Sequence, residues 1–416
     1  MSLIKDIYQT STIKVDWIAY LSIIPMMMIL PPIVSLPYSI YVFWSKGFAS
    51  KKATVQVMMA FACYIAIINC TKEHGGDQAE YWGVYEGVPI YGLRWAIDHI
   101  YGYRDATNGK EFMNGIYNYV GYWLTLGNYH LYIWINSILM YLPFFWCMRS
   151  LFQSHKNGKL MLLAGMAFLS FFPFFFVLTF QLQRQFVAYA IIIFLFVLKA
   201  KTGRTNIYIA LAALFSHSTA IAFMPLLFLD IFYKRITPKR LFLIAALFVP
   251  SFYFVSHVAV ALEDTEGAVG YLATRINNQG TDGLEFKALQ FYIFNLPMLF
   301  VTLLNIFRKD MSRLEYIVYN SYIFLFLFVV SLSGNELAQY RYGFFTYGYI
   351  GFIFPNFLQS KIKLQKNYLK LASIGIVLFF YAYFGHLAWH YASNISTLCF
   401  PQFWHLFVDT VIAPMS

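Results

Sequence analysis

Apolar stretches near 20 residues recur from one end of this 416-residue chain to the other, with short basic clusters between them. A run of that length crosses the hydrocarbon core of a bilayer as a helix, which satisfies its backbone polar groups internally. Charged residues make up 12% of the chain and apolar ones 60%, against about 25% and about 45–50% in soluble domains. One soluble core is therefore excluded. The expected fold class is all-α, a polytopic transmembrane helical bundle of about 12 helices (11–13), with residues 1–416 forming a single integral membrane domain. Met1 to Asp16 is polar and mixed in charge, and Trp17 to Trp44 is too long for the apolar core of a cleavable signal. Insertion through the chain's own helices is expected.

The net charge of +11 suggests a polyanion partner until its distribution is read. Six clusters hold 20 of the 30 Lys and Arg: Lys46/Lys51/Lys52, Arg149/Lys156/Lys159, Lys199/Lys201/Arg204, Lys234/Arg235/Lys239/Arg240, Arg308/Lys309/Arg313 and Lys361/Lys363/Lys366/Lys370. Only Asp230, Asp310 and Glu315 accompany them, and the rest of the chain carries 10 bases against 16 acids. This is the positive-inside pattern repeated six times, so the basic excess marks cytoplasmic turns and not a nucleic-acid site. Pairs of crossings between the clusters place helices near 17–45, 53–70, 129–148, 160–180, 184–199, 205–216, 218–233, 241–261, 288–307, 315–333, 342–359 and 368–391, with both termini outside. Pro31-Pro32 either kinks the first of these or divides it. Division would give thirteen helices and an inside N-terminus.

The stretch 205–233 is basic at both flanks and short for two full crossings. Two short helices meeting at Ser216-His217-Ser218 satisfy the charge rule, and a break at such depth requires surrounding protein or a polar cavity. Three segments face outward. The first, 71–128, holds seven acids (Glu73, Asp77, Glu80, Glu86, Asp98, Asp105 and Glu111) among many aromatics, with an amphipathic interfacial helix expected over Gly109 to Leu126. The second, 262–287, is polar and Gly-rich, and the third is Ser333 to Arg341.

Ionisable groups at membrane depth carry a functional hypothesis, because burying them is costly. Arg184 stands alone in QLQRQ, between Gln181, Gln183 and Gln185, where a long apolar helix begins. It either snorkels to the interface or holds an anion together with the free N–H groups of the helix start. His217 is either a packed, hydrogen-bonded side chain or a general base, with an ordinary pKa suited to that task. Arg341, in NELAQYRY, is a second outward cation that either pairs with Glu336 or joins Arg184 in a pyrophosphate clamp, with Glu336 or Tyr340 orienting it. Asp77 follows two glycines just past the second helix. His386 and His390 lie one turn apart without a third ligand, which favours packing over a metal site. The four cysteines lack metal spacing, and a Cys70–Cys399 disulfide is the less favoured reading of the two outer ones. No P-loop, GxSxG, HExxH, GxGxxG or outward DxD pair is present. That counts against a nucleotide-dependent enzyme and for an activated lipid donor; no metal and no other cofactor is expected.

The order of Asp77 with Tyr81, then Arg184, then the Ser-His-Ser break, then Arg341, resembles the EpsG-like and Wzy-type polysaccharide polymerases of bacterial envelopes. The motifs stand here as GGDQAEY, QLQRQFVAYA, FSHSTAIAFMPLL and QYRYGFF, spread over about residues 40 to 360. The first departs from the family's GTDY-like form, with Gln78 where Tyr falls, and the usual Glu-Pro helix start is replaced by YVGYWLTLGNYH. The resemblance implies a GT-C-like glycosyltransferase in the bacterial plasma membrane, multi-pass, with its site facing the periplasm or cell exterior. Its substrates would be undecaprenyl-pyrophosphate-linked oligosaccharide repeats, its partners a flippase and a chain-length regulator, and nucleic acid would have no part. Arg184 and Arg341 would bind the pyrophosphate, and His217, or less readily Asp77, would take the acceptor proton. Gln181, Gln185, Tyr81, Glu336, Tyr340 and Arg275 would line the substrate site, aromatics of the first outer segment would stack on sugars, and the second, around Arg275 to Asp282, would act as a lid. An O-antigen ligase and a lipid-linked sugar flippase or transporter are the competing readings. The short late loop argues against the ligase, and the lack of two related halves argues against the flippase.

Overall fold

The computed structural model describes residues 29–71, 77–99, 111–172, 182–246, 288–332, 336–359 and 367–388. Among the described residues all regular structure is helical and there is no strand. Among the described residues, three helices are long and apolar enough to cross a membrane: Tyr129–Phe152, Gln183–Thr202 and Arg313–Ser331.

Helix α1 spans Pro32–Lys46 and begins directly after Pro31, with residues 30 and 31 non-helical. Pro32 is tolerated there because a first-turn residue has no intrahelical N–H bond to lose. Of the expected 17–45 helix, the part before residue 29 lies outside the described residues. Then come α2 (Lys51–Thr71), α3 (Asp77–Asp98), α4 (Phe112–Leu124), α5 (Tyr129–Phe152), α6 (Gly158–Phe171) and α7 (Gln183–Thr202). The chain continues through α8 (Ile207–Ser216), a 3-10 segment Ser218–Phe223, α9 (Met224–Phe228) and a second 3-10 segment Asp230–Tyr233, with helix again over 238–246. The C-terminal half holds α10 (Ala288–Asn305), α11 (Arg313–Ser331), α12 (Glu336–Tyr347), α13 (Ile350–Ile353), a 3-10 segment Phe354–Gln359 and α14 (Asn367–Ala388). The second outer segment, 262–287, lies outside the described residues, as do Cys399 and His390 and the side chain of His386.

Two sequence expectations need correction. Much of the first outer segment is helical: α3 runs 22 residues and bends at Gly92, whose φ of 78° only glycine adopts readily. Beyond the bend the chain turns back so that the Trp95 ring lies against Gly87. The amphipathic helix expected over Gly109 to Leu126 is present as α4, with Asn114, Gly115, Asn118 and Gly121 buried and Val120, Trp123 and Leu124 exposed. Its outward face is thus the apolar one, as for a helix whose outer solvent is lipid. The third segment is also shorter than expected. Because α12 starts at Glu336, both Glu336 and Arg341 sit on a helix and not on a loop.

The break expected at Ser216-His217-Ser218 is present. His217 has extended backbone (φ −161°, ψ 136°) between α8 and the following 3-10 segment. α8 rises about 15 Å, half the ~30 Å of α7, so the break lies within the bundle and not at its face. The basic end of this hairpin is tied to α7. Lys199 Nζ donates to the carbonyls of Leu227 (2.8 Å) and Phe228 (3.2 Å), and pairs with Asp230 at 2.9 Å. Thr205 Oγ1 donates to the same Leu227 carbonyl at 2.7 Å. Four polar contacts thus fix where the re-entrant chain leaves, and so how deeply His217 is placed.

Candidate functional site

Arg184 sits in the first turn of α7, 5% exposed. A buried guanidinium at the positive end of a helix is doubly unfavourable, so an anion must lie beside it. Glu111 supplies it. The residue occupies the N-cap position of α4, yet its carboxylate does not cap its own helix. It reaches across the bundle, where Oε2 accepts a hydrogen bond from Arg184 Nη1, and Oε1 accepts one from the Ser218 backbone N–H at 2.9 Å. Burial acts to raise the Glu111 carboxyl, but His217, Arg184 and the Ser218 N–H together hold it below the ordinary carboxylate value.

Three further elements converge on this pair. Tyr81, on α3, accepts from Arg184 Nε at 3.2 Å, with the guanidinium 5.6 Å from its ring centroid. Phe112 packs on Phe215 with centroids 4.7 Å apart, and Tyr117 Oη and Ser216 Oγ share a hydrogen bond of 3.1 Å. Those two contacts fasten the start of α4 to the end of α8 and so bring Glu111 to the break. His217 caps the 3-10 segment: its Nδ1 accepts the Thr219 N–H at 3.2 Å and lies 2.7 Å from Thr219 Oγ1. In the neutral tautomer that accepts the Thr219 N–H at Nδ1, the ring carries its proton on Nε2 and presents that atom as a donor.

α7 and α12 are joined side by side. Gln185 Nε2 donates to the Arg341 carbonyl, and one turn on Tyr189 Oη donates to the Phe345 carbonyl at 2.8 Å. Arg341 is therefore held alongside the first turns of α7, half-buried, and among the described residues its guanidinium makes no hydrogen bond or ion pair. Gln183 donates to Tyr132 Oη at 3.2 Å. Among the described residues, the side-chain carbonyls of Gln183 and Gln185 are buried acceptors without a hydrogen-bond partner.

Of the residues singled out from the sequence, Arg184, Gln185, Tyr81, His217 and Arg341 come together around the start of α7. Asp77 opens α3 one turn before Tyr81, but its side chain and that of Glu336 lie outside the described residues. Gln181 and Arg275 lie outside them altogether. Tyr340 packs edge-on against Phe344 with centroids 4.7 Å apart. Arg184 is not the lone cation that its isolation from the basic clusters suggests, because Glu111 pairs with it. In the sequence Glu111 is one of seven acids in the first outer segment, with no local feature to distinguish it. The expected sugar-stacking aromatics of that segment are in part a packed core: Tyr85 lies about 5 Å from the rings of Tyr122, Tyr129 and Tyr132, and Tyr81 and Tyr85 are no more than 2% exposed.

An apolar cavity of about 520 Å³ adjoins the cluster, between α4, α5, α7 and α8, with Tyr117 in its wall. Cys70 donates its thiol to the His130 carbonyl at 3.2 Å. No group of three or more His, Cys, Asp or Glu with metal-binding proximity occurs among the described residues.

Comparison with curated proteins and with solved structures finds no match. The EpsG family, a family of Wzy-like polysaccharide-polymerase-type proteins, matches residues 54–402. That span takes in every residue of the cluster from Tyr81 to Arg341, and the chain belongs to the EpsG family.

Proposed function

We propose that the protein polymerises undecaprenyl-pyrophosphate-linked oligosaccharide repeats in a bacterial plasma membrane, with the site opening away from the cytoplasm. The observation that carries this reading is the buried Arg184–Glu111 pair, bonded to the Ser218 N–H at a helix break that also holds His217. A guanidinium and a backbone N–H converging on a carboxylate are the donors that a phosphate oxygen would use in its place. In this reading Glu111 holds the anion site until the pyrophosphate arrives. Arg184 then binds the pyrophosphate with Arg341, whose backbone carbonyl is bonded to Gln185 on α7, and both stabilise the charge gained by the leaving group.

Transfer breaks the bond between the anomeric carbon of the growing chain and its pyrophosphate oxygen, and forms one to a hydroxyl of the incoming repeat. The proton of that hydroxyl needs an acceptor. His217 is the candidate that the sequence offers, but its Nδ1 is occupied by Thr219. Glu111 fits better, because a pyrophosphate that neutralises Arg184 also removes one of the influences holding its carboxyl low. The base would gain strength as the substrate binds. His217 would then act through its Nε2–H as a donor to the same oxygens, while the buried Gln183 and Gln185 carbonyls are suited to sugar hydroxyls. Asp77, Gln181, Tyr81, Tyr340, Glu336 and Arg275 remain proposed members of the substrate site. A bundle of about twelve crossings of GT-C type, a flippase and a chain-length regulator complete the proposal, which needs no metal.

Deleting the gene in its native host and resolving the surface polysaccharide by electrophoresis tests the reading. Single-repeat product alone, with long chains restored by the wild-type gene and not by Arg184→Ala, is expected. Loss of all surface repeats would point to a flippase, and long chains surviving the deletion would refute the proposal.

A further inference from the structure

The charged cluster and the apolar cavity share their walls. On α7, Arg184 heads a stripe that continues through Val187, Ile191 and Phe194, at spacings of three and four residues that keep them on one helix face. The last three line the cavity. Val187 lies about 4.5 Å along the axis from Arg184. On α4, Glu111 stands at the N-cap, and Tyr117, Val120 and Leu124, at spacings of three and four, line the cavity beyond it. Two helices thus each present a charged group at the cluster and an apolar stripe leading away from it.

The cavity wall is overwhelmingly apolar, and its volume lies within the range of small-molecule sites. It is not sealed within the bundle. Val120, Leu124 and Leu139 on its rim are 47%, 70% and 61% exposed, so hydrocarbon entering from the bilayer meets no polar barrier. At the inner end, Tyr117 bonds Ser216, the residue before His217. A hydrocarbon chain attached to an anion at Arg184 would meet this apolar lining within one turn of α7, at Val187.

We infer that the groove between α4, α5, α7 and α8 binds the pyrophosphate-proximal part of the polyprenyl chain, so that head and tail are read by the same two helices. The inference rests on the pyrophosphate reading of the cluster. It adds where the lipid lies, which helices select it, and that α4 is the element covering it from the outer side.

The test uses purified full-length protein in lipid nanodiscs and a sugar-free polyprenyl pyrophosphate carrying a diazirine on an isoprene unit near the head. After irradiation, mass spectrometry should place the label on peptides of α4, α5 and α7 that line the groove. Unlabelled polyprenyl pyrophosphate should abolish the labelling, and a hundredfold excess of phosphatidylglycerol should not. Leu139→Trp and Val120→Trp enlarge exposed rim residues without entering the core, and each should cut the labelling at least fivefold. Phe379→Trp, at an exposed position on α14 (69%), should leave it unchanged. Label spread evenly over exposed helices, or equal competition by phosphatidylglycerol, would make the groove an ordinary lipid contact and overturn the inference. Because the probe carries no sugar, its labelling does not depend on transfer. Groove labelling with long chains surviving gene deletion would sink the polymerase reading alone, and single-repeat product with label elsewhere would sink the groove alone.

Discussion

Replacing Glu111 by Gln tests the centre of the site, because the structure makes opposite claims for single and paired substitutions. The Glu111→Gln side chain keeps an acceptor for the Ser218 N–H but leaves Arg184, 5% exposed, without its counter-charge. Removing one partner of a buried pair costs about 3–5 kcal/mol, since the remaining charge stays desolvated. Arg184→Met alone should cost a similar amount by leaving the carboxylate unpaired. The double variant removes both charges together and should recover most of the loss, giving a coupling of at least ~2 kcal/mol. For a chain of this length the singles should melt roughly 5 °C lower, scaling down the few degrees per kcal/mol seen for chains of 150–250 residues. The assay is thermal unfolding of the detergent-solubilised protein, repeated as a function of pH. The Glu111 carboxyl lies below its ordinary value when folded. Its contribution is therefore complete above the unfolded pKa of about 4.3 and is lost as pH falls through the lower folded value. Wild type should lose stability over that acid range more steeply than Glu111→Gln. Single variants within about 0.5 kcal/mol of wild type, the size of a surface change, would refute the burial argument. A stable double variant that still made long chains would leave the pair structural and end its assignment to the anion.

Arg341→Lys should reduce polymer length nearly as much as Arg341→Ala, because a point charge does not replace a bidentate fork; electrophoresis of surface polysaccharide reads the difference. His217→Ala should lower transfer by about 10²-fold or more if its Nε2–H assists the reaction, measured as repeat consumption in membranes, and unchanged rates would remove it from the chemistry. Gly165→Ala should destabilise by about 1–3 kcal/mol, since a Cβ there would lie 2.5 Å from the Gly351 carbonyl oxygen; a melting temperature equal to wild type would contradict the close approach of α6 and α13. Ser312→Ala should cost about 1 kcal/mol, because Ser312 and Glu315 form a reciprocal capping box at the start of α11, and the same unfolding assay would detect it.

The spans and their ends are legible in the chain because their causes are local. The α2, α5, α7, α10 and α11 helices fall within a few residues of the apolar runs, whose length is set by backbone rise and whose ends carry the basic clusters. The His217 break is legible for a related reason: 29 residues with basic flanks do not cross twice as straight helices. Arg184 is conspicuous because a charge in an apolar run has no cheap explanation. Glu111 is not, because an acid among other acids in a loop carries no local signal, and its partner lies 73 residues away. The α3 helix escapes notice because its glycines, Pro89 and mixed polarity obscure any helical stripe, while its packing on α4 holds it. Residue type and spacing thus marked the helices apolar enough for a membrane and the charged residues that are anomalous among them. Only the tertiary structure decided that α4 brings a carboxylate to Arg184, that Thr219 occupies the histidine's lone pair, and that two apolar stripes face each other below the charges. Each of these depends on elements meeting from distant parts of the chain, and burial of a charge obliges a partner without saying which one.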